Sequence, residues 1–190
     1  MDFKFTEEQL MIRDTAEAFL QEVSTSEAVR TAMSTELGYD SELWQRICTE
    51  MYWQAIHIPE EYGGMGLGYV EMVAMLEQMG RYLLCSPFLS TICLATNALL
   101  VAGNEQQKAE YLPQIVEGKT ATLAWTGKGS DWDATAVTGT FIKTETGYDL
   151  AGDWRYVPDG HSAELLIIAA REPGSSGAEG IGLFVVAADA

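Results

Sequence analysis

Positive charge is scarce in this chain of 190 residues: 11 lysines and arginines stand against 28 aspartates and glutamates, a net charge of −17. So acidic a surface repels phosphate backbones and anionic headgroups, which makes nucleic acid and anionic membrane poor partners. Solubility is the simpler role for the charge, and steering of a cationic partner the less economical one. Cysteine is scarce too. Cys48, Cys85 and Cys93 are odd in number and form no C-x-x-C pair, which argues against a zinc site or a disulfide framework and for a reducing, cytoplasmic location. The two histidines, His57 and His161, lie far apart in the sequence, so no histidine-rich metal site is expected. The opening residues MDFKFTEEQ carry neither a basic leader nor an apolar core, and no secretory signal is expected there. The most apolar run, LSTICLATNALLVAG at 89–103, is short for a membrane span and is interrupted by Thr91, Thr96 and Asn97.

What is present is ordinary globular material, 47% hydrophobic and 21% charged, enough to exclude wholesale disorder. Residues 1–117 carry helical periodicity. Thr6 with Gln9 three positions later is a capping-box signature. Ile12, Ala16, Phe19 and Val23 then repeat at helical spacing, as do Trp44, Cys48 and Met51, and Met72, Met75, Leu76, Met79 and Leu83. A methionine stripe of this kind fills core gaps far more often than it lines a cofactor box. Residues 87–101 are apolar on nearly every face and read as the inside of a bundle.

After Gly118 the period shortens. Strands are expected at 121–126, 137–143, 148–151, 154–157, 164–170 and 181–187, with a hairpin at Thr144-Glu145-Thr146-Gly147. No helical pattern separates them, so the pairing should be mainly antiparallel. The expected fold class is α+β: an N-terminal α-helical domain over 1–117, then an incomplete antiparallel β domain over 118–190. Five or six strands leave an exposed edge, so the β part is expected to belong to a longer polypeptide; a small complete β domain is the alternative.

Between the halves of the helical region, IPEEYGGMGLGYVEMVAML at 58–76 places Gly64, Gly66 and Gly68 just ahead of a helix. A dinucleotide fingerprint needs a buried strand before its glycines and a βαβ unit around them. Here Pro59 ends a short apolar run and another helix follows. The glycines therefore read as a hinge with left-handed backbone in preference to a phosphate cradle.

The same stretch, extended to IPEEYGGMGLGYVEMVAMLEQMGR, resembles a loop and helix in the N-terminal domain of acyl-CoA dehydrogenases. FTEEQLMIRDTAEAFL resembles their first helix, and AGNEQQKAEYLPQIVEGK their passage into the β domain. TLAWTGKGSDWD, YDLAGDWRYVPDGHSAELLIIAAR and GIGLFVVAAD resemble successive β-domain segments. The resemblance covers nearly the whole chain in the family's order, while the family's C-terminal helical domain has no counterpart here. It implies FAD as cofactor, an acyl-CoA thioester as substrate, an electron-transfer flavoprotein as acceptor, and a homo- or hetero-oligomer. The implied reaction is α,β-dehydrogenation, with a carboxylate taking the α-proton and hydride leaving for flavin N5. The family's glutamate base lies in its C-terminal domain, so no residue of this chain is assigned as catalytic, and Glu60 and Glu61 read as solvated or loop-capping groups.

Two segments resemble the family's flavin contacts. T-E-P-x-x-G-S-D corresponds to residues 126–133, with two possible registers. Ungapped, Thr126 matches the threonine, Asp133 the aspartate, and Trp132 stands where serine is usual; with a deletion, Gly129-Ser130-Asp131 matches instead. The ungapped register keeps the preceding TLAW strand aligned and is preferred, an ordinary polar loop being the plainer reading. W-I-T-N-G corresponds to Tyr156-Val157-Pro158-Asp159-Gly160. Tyr156 can still lie against a flat ring, but Pro158 has neither hydroxyl nor N–H to donate. Trp125, Thr126, Trp132, Tyr156, Val157 and Pro158 are thus the candidate flavin contacts. The departures at Trp132 and Pro158 also suit a non-catalytic partner subunit of a heteromeric enzyme.

Overall fold

The computed structural model describes residues 4–127, 129 and 132–188. The chain forms two compact units. One takes the sequence up to Pro87 together with Gln107–Gly118; the other takes Phe88–Gln106 and the sequence from Lys119 onward.

In the first unit, α1 (Glu7–Val23) starts at the expected capping box: Gln9 N donates to Thr6 Oγ1 and Thr6 N to Gln9 Oε1. α2 (Ser26–Met33) is capped by Thr25 and α3 (Ser41–Arg46) by Asp40. α3 widens into a π-helical turn, Ile47–Met51, and buries Trp44, Ile47 and Cys48. The Trp44 indole donates to the Gly118 carbonyl at 2.9 Å, so the ring satisfies its polar edge while its face is buried. α4 (Tyr69–Arg81) lays Met72, Met75 and Met79 into the core, as the stripe implied. It packs along α1, with Gln9 Nε2 donating to Glu71 Oε1 at 2.8 Å near the start of both helices and Arg81 pairing with Glu17 further along. Leu83, expected on the same stripe, is exposed, because α4 has ended and Leu83 adopts φ +52°.

In the second unit, a π-helical segment, Leu89–Thr96, runs into α5 (Asn97–Ala102) and packs on the sheet. Thr91 joins the two: its Oγ1 donates to the Ala121 carbonyl and accepts from the Ala121 amide. α6 (Glu105–Val116), which belongs to the first unit from Gln107 onward, precedes the strands in sequence.

The chain is α+β, as expected, but the sheet is mixed. β4 (Leu165–Arg171) is its centre, with Leu165, Ile167, Ala169 and Ala170 buried. β5 (Ile181–Ala187) runs antiparallel along one edge of β4. On the other edge, β1 (Ala121–Ala124) pairs in parallel with residues 165–168. β2 (Thr140–Lys143) meets β4 in parallel at Arg171 and forms the expected hairpin with β3 (Tyr148–Ala151). The antiparallel expectation held for neighbours in sequence. It failed for β1 and for β2, which both pair with β4 in parallel, because each is joined to it by a connection that lets the chain return in the same direction.

Candidate functional site

The parallel edge of β4 changes partner partway along. β1 covers it as far as Ile168 and β2 reaches it only at Arg171. Between these points the Ala169 carbonyl accepts from the Trp154 indole at 2.8 Å. The ring occupies space left by Gly139, where an added Cβ would lie 2.3 Å from it. Anchored in this way, residues 154–160 come back past the C-terminal end of β1.

Thr126 and Arg155 then join the two candidate segments. The Arg155 amide donates to the Thr126 carbonyl at 3.0 Å, and Thr126 Oγ1 donates to the Arg155 carbonyl. Thr126 is 2% exposed. Two further bonds hold the returning loop: Thr122 Oγ1 donates to the Pro158 carbonyl, and Ser90 Oγ to Asp159 Oδ2, each at 2.6 Å. Thr122, Ser90 and Asp159 were not among the residues singled out from sequence. Only Asp159 had a signal there, since a Pro-Asp-Gly turn favours a residue that tolerates left-handed backbone.

The expected strand at 154–157 does not form. Tyr156 has φ +55° and Asp159 φ +51°, and a left-handed residue breaks the extended path a ladder needs. Pro158 cannot donate to a ladder in any case. The left-handed turn carries the Tyr156 ring outward, 68% exposed, with Val157 and Pro158 half-buried beside it.

On the first segment, Trp125 is half-buried and Trp132 is 62% exposed. Their rings meet edge to face at 5.5 Å, and the Trp125 indole donates to the Trp132 carbonyl. Asp133 caps the short turn Ala134–Ala136: the Thr135 hydroxyl and amide donate to its carboxylate and hold it below the usual carboxylate range. Ser130 and Asp131, on which the gapped register depends, lie outside the described residues, as does Lys128.

These residues suit a flat heteroaromatic ring, but with fewer donors than the resembled pattern. The exposed Tyr156 and Trp132 rings offer stacking surface. Pro158 has no N–H, and its carbonyl is engaged by Thr122. The Thr126 hydroxyl directs its only proton to Arg155 and has none to give a ligand. Among the described residues, the Tyr156 and Val157 amides have no backbone acceptor. With the Asp159 amide, which has none either, they are the backbone donors left in the second segment.

The glycine loop is a hinge, not a cradle. Its amides from Gly63 to Gly68 all donate within the loop region: Gly63 to Glu60, Gly64 to Pro59, Met65 to Ala55, Gly66 to Ile58, Leu67 to Ile56, and Gly68 to the Glu71 carboxylate. A phosphate would find no open N–H there. Gly66 has φ +63°, and a Cβ on Gly64 would lie 1.9 Å from the Ile58 carbonyl oxygen. Glu60 and Glu61, at the short turn Glu60–Tyr62, are exposed. Among the described residues no group of three or more His, Cys, Asp or Glu could hold a metal ion, and no helix is long and apolar enough to cross a membrane.

Comparison with known proteins agrees with this architecture. The family model for the acyl-CoA dehydrogenase N-terminal domain matches residues 6–119. The acyl-CoA dehydrogenase IpdE2 of Mycolicibacterium smegmatis is 39% identical over 113 residues, covering 60% of this chain and 35% of its own. Among solved structures, the ChsE4-ChsE5 complex from Mycobacterium tuberculosis superposes with a TM-score of 0.84 at 28% identity, over 99% of this chain and 49% of the matched one. An acyl-CoA dehydrogenase from Bacillus anthracis complexed with FAD gives 0.83 at 26% identity, over 98% of this chain and 32% of the matched one. The chain thus spans about a third to a half of the length of these relatives. With the family model covering more than half of its residues, this chain belongs to the acyl-CoA dehydrogenase family.

Proposed function

We propose that this chain supplies one wall of the FAD site in an acyl-CoA dehydrogenase that oxidises an acyl-CoA thioester. The observation that carries this is the reciprocal pair between Thr126 and Arg155, which joins the two segments and leaves the Tyr156 ring exposed beside them. When bound, the flavin would supply a hydride acceptor at N5. The chain's own part is positional. Tyr156 and Trp132 present stacking faces, Trp125 steadies Trp132 through its indole N–H, and the Tyr156 and Val157 amides, which have no backbone acceptor, would be available to the ring edge in place of the proton Pro158 lacks. One missing neutral hydrogen bond weakens binding by about 0.5–1.5 kcal/mol, which loosens a flavin without expelling it. The base that takes the α-proton comes from a carboxylate outside these 190 residues. An electron-transfer flavoprotein is the acceptor this chemistry calls for.

The test is to purify the assembly that this chain forms in its own cell and record its visible spectrum. A flavin band that bleaches on adding acyl-CoA is expected. A colourless assembly, or one indifferent to a range of acyl-CoA thioesters, counts against the proposal.

A second reading, a non-catalytic partner subunit, is favoured by the engaged Thr126 hydroxyl and by Pro158. Similarity to a chain of the ChsE4-ChsE5 complex supports it. It requires that a related second chain carrying intact T-E-P-x-x-G-S-D and W-I-T segments co-purifies. An assembly of this chain alone that turns over substrate would remove it.

A further inference from the structure

Left-handed backbone is disfavoured for residues with a side chain, less so for aspartate, and it persists where the surroundings hold it. The loop at 155–160 has two such residues, Tyr156 and Asp159. It is pinned on both sides of residues 156 and 157. Before them, Arg155 is bound twice to Thr126. After them, the Pro158 carbonyl is bound by Thr122 and the Asp159 carboxylate by Ser90. Ser90 and Thr122 are fully buried, so water offers their hydroxyls no competing partner. The strand and the helical segment that carry them are themselves tied together through Thr91 and Ala121. The support under the loop is therefore itself cross-linked.

We propose that Ser90 and Thr122 are positioning residues for the flavin face. Through Asp159 and Pro158 they hold the loop in its left-handed form before any ligand arrives, so that the Tyr156 ring and the two open amides are presented in advance. Such preorganisation lowers the ordering cost of binding. The proposal rests on the flavin role given above, but the latch itself is measurable without flavin.

The experiment compares amide exchange in the chain alone for the wild type, Ser90→Ala, Thr122→Val and Thr122→Ser, with FAD-induced amide shifts recorded in parallel. Exchange of the Arg155 and Gly160 amides, the two in this stretch that donate to a backbone carbonyl, is expected to quicken by about three- to tenfold in Ser90→Ala and Thr122→Val, the scale of one lost hydrogen bond. Thr122→Ser, which keeps the hydroxyl, is expected to behave as wild type. FAD-induced shifts at Tyr156 and Val157 should shrink in the two loosened variants and survive in Thr122→Ser. Unchanged exchange in both loosened variants would overturn the proposal. So would Thr122→Ser behaving like Thr122→Val, or an acceleration spread equally over β1 and β4. If Thr122→Val does not fold, Ser90→Ala decides by the same criteria. A loop that loosens as expected, together with an assembly of this chain that purifies without flavin and binds none, would uphold the latch and overturn the flavin role.

Discussion

Thr126 and Arg155 bond to each other in both directions, amide to carbonyl one way and hydroxyl to carbonyl the other. A threonine at this place in the resembled family pattern offers its hydroxyl to the flavin. In this chain the same hydroxyl ties the first candidate segment to the second. Thr126 is thereby a fastener, and under the proposed function the ligand-facing work falls to its neighbours.

Removing the fastener has a measurable cost. Thr126→Val leaves the Arg155 carbonyl without its donor and is expected to lower the unfolding free energy by about 1 kcal/mol. Thr126→Ser keeps the bond and should lie within about half of that. Urea denaturation of both variants checks the difference. Equal losses would mean that the methyl group matters as much as the hydroxyl, and no loss in Thr126→Val would mean that the hydroxyl does not matter.

Pro158 is the position where a donor is missing. Pro158→Thr restores an N–H beside the open Tyr156 and Val157 amides. It is expected to tighten FAD binding by about 0.5–1.5 kcal/mol, read by calorimetric titration of the chain or its assembly. No gain in affinity would mean that residue 158 does not face the ring.

The glycine loop makes a different claim. Gly64→Ala would drive a Cβ to 1.9 Å from the Ile58 carbonyl oxygen. The backbone cannot yield there without breaking the loop's own hydrogen bonds, so a loss of roughly 2–4 kcal/mol is expected from such overpacking. Thermal unfolding measures it. Because the loop amides are already engaged, adding nucleotide should not raise the melting temperature of the wild type through this loop.

Much of the fold was legible. The Thr6–Gln9 cap, the Met72, Met75 and Met79 stripe and the hairpin at 144–147 are local devices whose residues lie within a few positions of each other, and each forms as read. The parallel pairing of β1 with β4 was not legible, since a period of two is the same in both directions. The expected strand at 154–157 failed for a long-range reason: Trp154 fits the space left by Gly139 and bonds Ala169, which pulls the chain off the strand path. The site divides the same way. Tyr156, Val157 and Pro158 could be proposed from a motif, whereas Thr122 and Ser90 act through backbone or side-chain partners more than thirty positions away and leave no pattern in the sequence.

The Cys48 and Cys93 thiols give stability a downward slope at alkaline pH. Burial pushes the Cys48 thiol up to about 12 and the Cys93 thiol up to about 11. Above the ordinary thiol range, near 8.5, the unfolded chain has released protons that the folded chain keeps, so stability falls as pH rises from there toward 12. Below that range the two states bind the same thiol protons and these groups contribute no slope. Denaturation midpoints between pH 7 and 11 check the sign. At pH 8, partly exposed Cys85 is expected to react with iodoacetamide before Cys48 or Cys93. Labelling of Cys48 first would contradict the packing around Trp44.

The position of the flavin face is open to one titration. In a two-dimensional amide NMR spectrum of the chain with added FAD, the account expects shifts at Trp125, Thr126, Tyr156 and Val157, together with the Trp125 and Trp132 indole signals, and none at residues 63–68. Shifts confined to the glycine loop, or none at Tyr156 and Val157 at millimolar FAD, would contradict it.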